Sequence, residues 1–186
     1  MTKLLICGSA AAEAVPGVFC TCPLCLKALE EGGKDIRSRT AYQLGESIRI
    51  DLGPDLFYHM VKFGLRLDKL RELVITHNHR DHFYPDELAN RRQGMSKVPE
   101  GAVLRVIGSP IVVEQVKNTT DPEKSLLKFE SVEHGSKVML HGDVELTAFH
   151  LFKKYFHQFF IVFYISKRTL IDGEIYHVHG LEESIQ

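Results

Sequence analysis

Residues 76–88 read THNHRDHFYPDEL, and within them His77, His79, Asp81 and His82 set three imidazoles and a carboxylate into six consecutive positions. Imidazole nitrogens and carboxylate oxygens are the donors that zinc and similar divalent ions take. On a strand alternate side chains share a face, so His77 and His79 can point the same way. Asp81 and His82 then fall on the turn that feeds a helix beginning near Pro85. The chain therefore reverses around a point that four ligating groups can reach. Three histidines with one open position would lower the pKa of a bound water towards neutrality, which is hydrolytic chemistry.

A second donor group lies upstream. Cys20, Cys22 and Cys25 form C-x-C-x-x-C, and Cys7 is the remaining cysteine of four. In a cytosolic chain such packing points to metal before disulfides. Structural zinc needs four ligands, so a site here takes a fourth from Cys7, His177 or His179; the alternative is three free thiols in a loop. Arg37 and Arg39, in KDIRSRT, carry guanidinium forks that suit phosphate oxygens, or else they are solvated charges at a strand edge.

The elements that must position these groups follow from apolar spacing and turn residues. KLLICG (3–8) is a strand, PLCLKALEEGG a short helix stopped by Gly32 and Gly33, and 40–53 a hairpin around Gly45–Glu46. DLFYHMVKFG (55–64) has helical spacing, RELVITH (71–77) is an apolar strand, and YPDELANRRQG is a helix with Pro85 in its first turn. AVLRVIGS (102–109) is a strand followed by a helix from Pro110 to Lys117, and from Lys128 onward the pattern is sheet-like. Strands alternating with helices, then a run of strands, indicate a layered α/β sandwich, in one domain over 1–186.

The chain has 186 residues, 44% of them hydrophobic and 25% charged, enough for one domain with a real core. Net charge is −1 with no basic block, so the footprint of non-specific nucleic-acid binding is absent. The apolar stretch Leu4–Cys7 is too short for a signal-peptide core, and FFIVFYI (159–165) is too short to cross a bilayer. The expectation is a cytoplasmic protein without a membrane partner.

THNHRDH after a buried strand resembles the signature of the metallo-β-lactamase fold, an αββα sandwich of metal-dependent hydrolases, α+β in class. IDLGPD (50–55) resembles the upstream strand whose Asp, here Asp51, orients the metal ligands from behind. GSAAAEAVPGVFCTCPLC and GGKDIRSRT resemble one branch of that superfamily, the branch of the phosphoribosyl cyclic phosphate phosphodiesterase of the carbon–phosphorus lyase pathway. The coenzyme PQQ biosynthesis protein of the same superfamily also carries C-x-C-x-x-C near its start. The likeness is strongest over residues 3–95, continues to about 150 and is poor thereafter.

The resemblance implies that His77 and His79 hold a first metal together with a histidine at the end of a later strand. His150 in VELTAFH matches that position better than His157, His141 or His134. It implies that Asp81 and His82 serve a second metal, with Asp81 also a proton shuttle, and it puts Arg37 and Arg39 near the substrate pocket. The family's fourth ligand to the cysteines is a C-terminal histidine. The end of this chain, TLIDGEIYHVHGLEESIQ, departs from the pattern. His179 falls where a bridging carboxylate is expected, Asp172 is the nearest carboxylate, and the last family histidine has no counterpart. A complete first site and a weakened second site are therefore expected, in a C-terminal half that is incomplete relative to the family. Such a chain is expected to form a homodimer, to pair with another polypeptide or to be marginally stable.

Together these features and the resemblance predict a metal-dependent hydrolase, a phosphodiesterase that cleaves a small phosphate ester substrate, such as a cyclic one, through metal-activated water. Its catalytic site takes one or two ions, zinc or else manganese or iron, and one structural zinc is expected at the cysteines. The alternative is a degenerate, non-catalytic member that binds metal or a partner. β-Lactam hydrolysis does not follow, because a fold does not fix a substrate.

Overall fold

The apolar residues at 41–50 fold back on themselves as the spacing predicts. Strands β1 (Leu4–Gly8), β2 (Ala41–Leu44) and β3 (Ile48–Ile50) pair antiparallel, with Leu44 opposite Ile48 across the turn. β4 (Glu72–Val74), β5 (Leu104–Gly108) and β6 (Leu127–Ser131) extend the sheet in parallel, in the order β1 to β6. A computed structural model describes residues 3–152, with side chains to 149, and the backbone of strands at 159–167, 170–171 and 174–175. A second sheet is formed by β7 (Lys137–Leu140), β8 (Val144–Phe152) and β9 (Phe159–Lys167), all antiparallel. β10 (Leu170–Ile171) and β11 (Glu174–Ile175) pair separately.

The parallel strands are buried on both faces, which is why they read as near-continuous apolar runs. One face sets Ile48, Ile50, Val74 and Ile107 against Val138, Leu140, Val144, Leu146 and Ala148 of the second sheet. The other sets Leu73, Leu104 and Val106 against Leu88, Val112 and Val116. Those last three lie on α3 (Asp86–Ala89) and α4 (Pro110–Thr119). Full burial of each such Ile, Leu or Val stabilises the fold by roughly 1.5–3 kcal/mol. The described elements thus stack as helices, a six-stranded sheet and a three-stranded sheet. Leu4 and Ile6 stand opposite Leu44 and Tyr42, yet they keep 47% and 49% of their surface exposed.

At the start of β4 the sheets are pinned by charge. Arg105 donates to Glu72 (2.5 Å), Glu130 (3.1 Å) and the Met139 carbonyl (2.6 Å), while the other Glu72 oxygen accepts the His141 amide at 2.7 Å. His141 therefore lies at the opposite end of β4 from His77.

Helix α1 (Pro23–Glu31) starts one residue after Cys22, and α2 (Leu56–Phe63) ends at Gly64, whose φ of 62° is left-handed. Two elements are shorter than their apolar patterns. β4 stops at Val74 instead of reaching His77, because the Thr76 amide donates to the Asp51 carboxylate (2.8 Å) and so leaves the ladder. The helix after Pro85 is one turn long.

Candidate metal centre

The site residues gather at the carboxyl ends of the parallel strands, where open α/β sheets place their ligands. Asp51 follows β3 and His77 follows β4. Beyond the strands the two loops zip together: Leu52 and Phe83 form an isolated parallel bridge, with Leu52 N donating to His82 O (2.8 Å) and Tyr84 N to Leu52 O (2.6 Å). Gly53 sits so close that a Cβ there would lie 2.1 Å from the Asp81 carbonyl oxygen. The segment 79–83 closes as a turn, the His82 and Phe83 amides both donating to His79 O.

Asp51 is fully buried and carries a φ of 62°, a left-handed conformation that non-glycine residues adopt only when their surroundings over-determine it. Its amide donates to Val74 O at 2.8 Å. One carboxylate oxygen accepts the Thr76 amide (2.8 Å), the Thr76 hydroxyl lies 2.8 and 2.9 Å from the two oxygens, and His82 Nδ1 lies 2.7 Å from Oδ2. These contacts fix two tautomers. Since the Thr76 O–H donates to the carboxylate, its oxygen accepts from His77 Nδ1 at 3.0 Å. Since His82 Nδ1–H donates to Asp51, both histidines carry their lone pair on Nε2, the ligating arrangement that a carboxylate behind a histidine enforces.

The donors meet in pairs. His77 Nε2 lies 3.2 Å from His79 Nδ1, and His82 Nε2 lies 3.4 Å from Asp81 Oδ2. The His77 ring centroid is 4.7 Å from that of His79 and 4.1 Å from that of His82. Burial, followed by the neighbouring His82 and His79, lowers the His77 pKa to about 3, so this imidazole is neutral. Two nitrogens bound to one tetrahedral zinc at about 2.0–2.1 Å stand about 3.3 Å apart, so the His77–His79 pair fits a shared ion. Asp81 and His82 sit beside it, their side chains 15% and 19% exposed. Among the described residues, neither pair gains a third donor with all ligand atoms within 4.8 Å of one another.

His150 lies on β8 opposite Ile161, at the end of that strand away from the Glu72–His141 contact; its side chain lies outside the described residues. His157, Asp172, His177 and His179 also lie outside them. The His134 ring packs edge-on against Phe149, centroids 5.9 Å apart.

Cys20, Cys22 and Cys25 do converge, their sulfurs within 4.8 Å of one another. Cys22 precedes α1, and its thiol is lowered to about 7, chiefly by the Cys25 amide and then by the Cys20 and Cys25 side chains. Cys25 is buried and accepts the Gly17 amide at 3.3 Å. Three thiols in mutual reach, one of them close to thiolate at neutral pH, suit a soft-ligand zinc site. Cys7 is elsewhere, its sulfur 3.6 Å from Arg49. Arg39 is clamped on Asp55, its amide at 2.8 Å and its guanidinium at 2.9 Å, with Nε on Ala12 O. Arg37 is exposed and pairs with Val15 through its backbone.

Two groups at this end escape a sequence reading. Thr76 couples His77 to Asp51. Arg49, fully buried, donates from Nε to the Asp51 carbonyl (3.1 Å) and from the guanidinium to His59 Nδ1 (2.9 Å). His59 Nε2–H in turn donates to Ser38 Oγ at 2.7 Å, and Ser38 to Cys7 O at 3.2 Å. His59 is held neutral, its pKa lowered to about 4 by burial and then by Arg49.

Solved structures share this arrangement of chain. A diphosphatase from the PhnP family superposes with a TM-score of 0.69 at 20% identity, over 88% of this chain and 62% of that one. The metallo-β-lactamase-fold protein YhfI from Bacillus subtilis gives 0.56 at 15% identity, over 89% and 57%. The fold is that of the metallo-β-lactamases. Zinc-bound PqqB from Methylobacterium extorquens, at 0.62 and 18% identity over 81% and 52%, also matches it. This chain thus spans about half to two thirds of the metallo-β-lactamase-fold chains it superposes on. No family model and no curated protein sequence matches it. Among the described residues no helix is long and apolar enough to cross a membrane.

Proposed function

We propose that the chain is a metal-dependent hydrolase that cleaves a small phosphodiester, a cyclic phosphate among the candidates. The observation that carries this is the 3.2 Å approach of His77 Nε2 and His79 Nδ1, a hydrogen-bond separation that two nitrogens on one tetrahedral ion would keep almost unchanged. A divalent cation held there, zinc before manganese or iron, would supply Lewis-acid chemistry towards water and a phosphoryl oxygen. His77, His79 and a third histidine, His150, would hold it, with Asp81 and His82 available to a second ion. The chain's own groups do the rest. Asp51 and Thr76 keep the histidines in the ligating tautomer, and the two zipped loops keep them aimed. Asp81 accepts a proton from the attacking water and passes it to the leaving oxygen. Arg37 can meet a phosphate oxygen, as can Arg39 if it exchanges Asp55 for substrate. Cys20, Cys22 and Cys25 would hold a structural zinc that staples the 17–25 loop. The diphosphatase named for the first of the superposed structures is consistent with hydrolysis at phosphorus on this fold.

The test is hydrolysis of bis(p-nitrophenyl) phosphate by the metal-loaded chain beside elemental analysis. Turnover that His77→Ala and His79→Ala abolish is expected. One observation favours the rival, a non-catalytic metal-binding member: the described donors at this end meet only in pairs, whereas the cysteines meet as three. Bound metal without turnover would establish that rival.

A further inference from the structure

We infer that Arg49 is a positioning residue for the histidine site, acting through the main chain of Asp51; this rests on the metal reading above. A buried guanidinium is costly unless it is paired or fully hydrogen-bonded, and an apolar residue of similar volume is often the more stable occupant. Arg49 is 0% exposed, and its hydrogen-bond partners among the described residues are a carbonyl, a thiol and a neutral imidazole, none of them a carboxylate. What it supplies that an apolar residue cannot is three directed N–H groups in one rigid fork.

Each prong reaches a different part of the scaffold. One guanidinium nitrogen lies 3.6 Å from the Cys7 sulfur on β1, and the other lies 2.9 Å from His59 on α2. His59 is the one buried residue of that helix, and its far nitrogen is tied to Ser38. Nε, with its stem anchored on β3, holds the Asp51 carbonyl at 3.1 Å. That carbonyl belongs to the residue whose left-handed φ breaks the strand and turns its carboxylate towards Thr76 and His82. The Asp51 backbone is held at its amide by Val74 and at its carbonyl by Arg49. Arg49 thereby references the turn that aims two histidines to β1, β3 and α2 at once. Groups hydrogen-bonded directly to metal ligands typically cost 10–100-fold in metal affinity when removed; Arg49, one step behind them, should fall at the low end of that range.

The experiment loads wild type, Arg49→Met, Arg49→Lys and His77→Ala with cobalt(II) and reads two signals. The d–d bands report the nitrogen/oxygen site, and the thiolate charge-transfer band reports the cysteines as an internal control. In Arg49→Met the expected result is a cooperative melt, an unchanged thiolate band with unchanged affinity, and a histidine-site affinity lowered about tenfold with altered d–d bands. Arg49→Lys keeps the charge but lacks the Nε–H aimed at Asp51, so it loses affinity in the same direction; it carries the comparison if Arg49→Met does not fold. Wild-type affinity and spectrum in both variants would overturn the inference. So would a parallel weakening of both sites that tracks the loss of stability, which marks a merely structural role. If wild type and His77→Ala take up cobalt alike at the nitrogen/oxygen site, the metal reading fails first, whatever the Arg49 variants do.

Discussion

Replacing Asp51 by Asn tests the tautomer argument with almost no change in shape. The carboxylate accepts from the Thr76 amide at 2.8 Å, the Thr76 hydroxyl at 2.8 Å and His82 Nδ1 at 2.7 Å. An amide keeps the oxygen that faces Thr76 and turns an NH2 towards His82. Donor would then face donor, so His82 must accept at Nδ1 and carry its proton on Nε2, where it can no longer ligate. A charge-assisted bond, worth roughly 1.5–3 kcal/mol, is exchanged for a neutral one worth roughly 0.5–1.5 kcal/mol, so the stability loss should be about 1 kcal/mol. Metal affinity at the histidine end should fall about 10–100-fold, equivalent to about 1.4–2.7 kcal/mol. Zinc competition against a chromophoric indicator measures the affinity, and a thermal melt of the metal-free protein measures the stability. The double variant Asp51→Asn/His82→Ala should bind little worse than His82→Ala, because both substitutions disable one ligand. Strict additivity in that cycle, or wild-type affinity in Asp51→Asn, would refute the reasoning.

Gly53→Ala puts a Cβ 2.1 Å from the Asp81 carbonyl, which is backbone, so the ligand turn must shift. A loss of about 1–3 kcal/mol in denaturant melts, with weakened metal binding, is expected from such overpacking. Cys22→Ser should remove one zinc per chain by elemental analysis and expose the 17–25 loop to proteolysis, while leaving the histidine end loaded. In the metal-free protein the folded pKa of His77 is about 3 and of His59 about 4, both below the ordinary value of about 6.5. The unfolded chain therefore binds protons first, so this contribution is intact above about pH 6.5 and drains away as pH falls towards 4. Melting temperature followed across that interval should drop, and His59→Gln should flatten part of the drop; a flat wild-type profile would contradict it.

The sandwich itself was legible because period-2 and continuous apolar runs are its direct signature, as in TAYQLGESIRI and AVLRVIGS. The grouping of His77, His79, Asp81 and His82 as candidate donors was legible because all four are local in sequence. Its support was not. Arg49 between Ile48 and Ile50 reads as the outward residue of a half-exposed strand, and only the packing of α2 over it reveals full burial. Thr76 looks like a β-former at a strand end, whereas its amide has left the ladder for Asp51. The strand expected through His77 stops at Val74 for that reason. Nor does any local pattern encode the bridge between Leu52 and Phe83, which joins loops far apart in the chain.

That bridge also bears on how an ion would arrive. Because backbone hydrogen bonds already lash the two loops together, the pairing of His77 with His79 and of His82 with Asp81 is set before an ion arrives, and neither of these two described loops needs to be ordered at the moment of capture. Uptake there should be limited by shedding the ion's hydration shell, and a chelator should strip the histidine end without melting it. The 17–25 loop is laced at its base, where Val15 and Arg37 exchange backbone hydrogen bonds, but beyond that point its bonds are internal, Cys20 N to Gly17 O and Gly17 N to Cys25 Sγ. The same treatment should loosen it, and the two ends of one small protein would answer metal starvation in opposite ways.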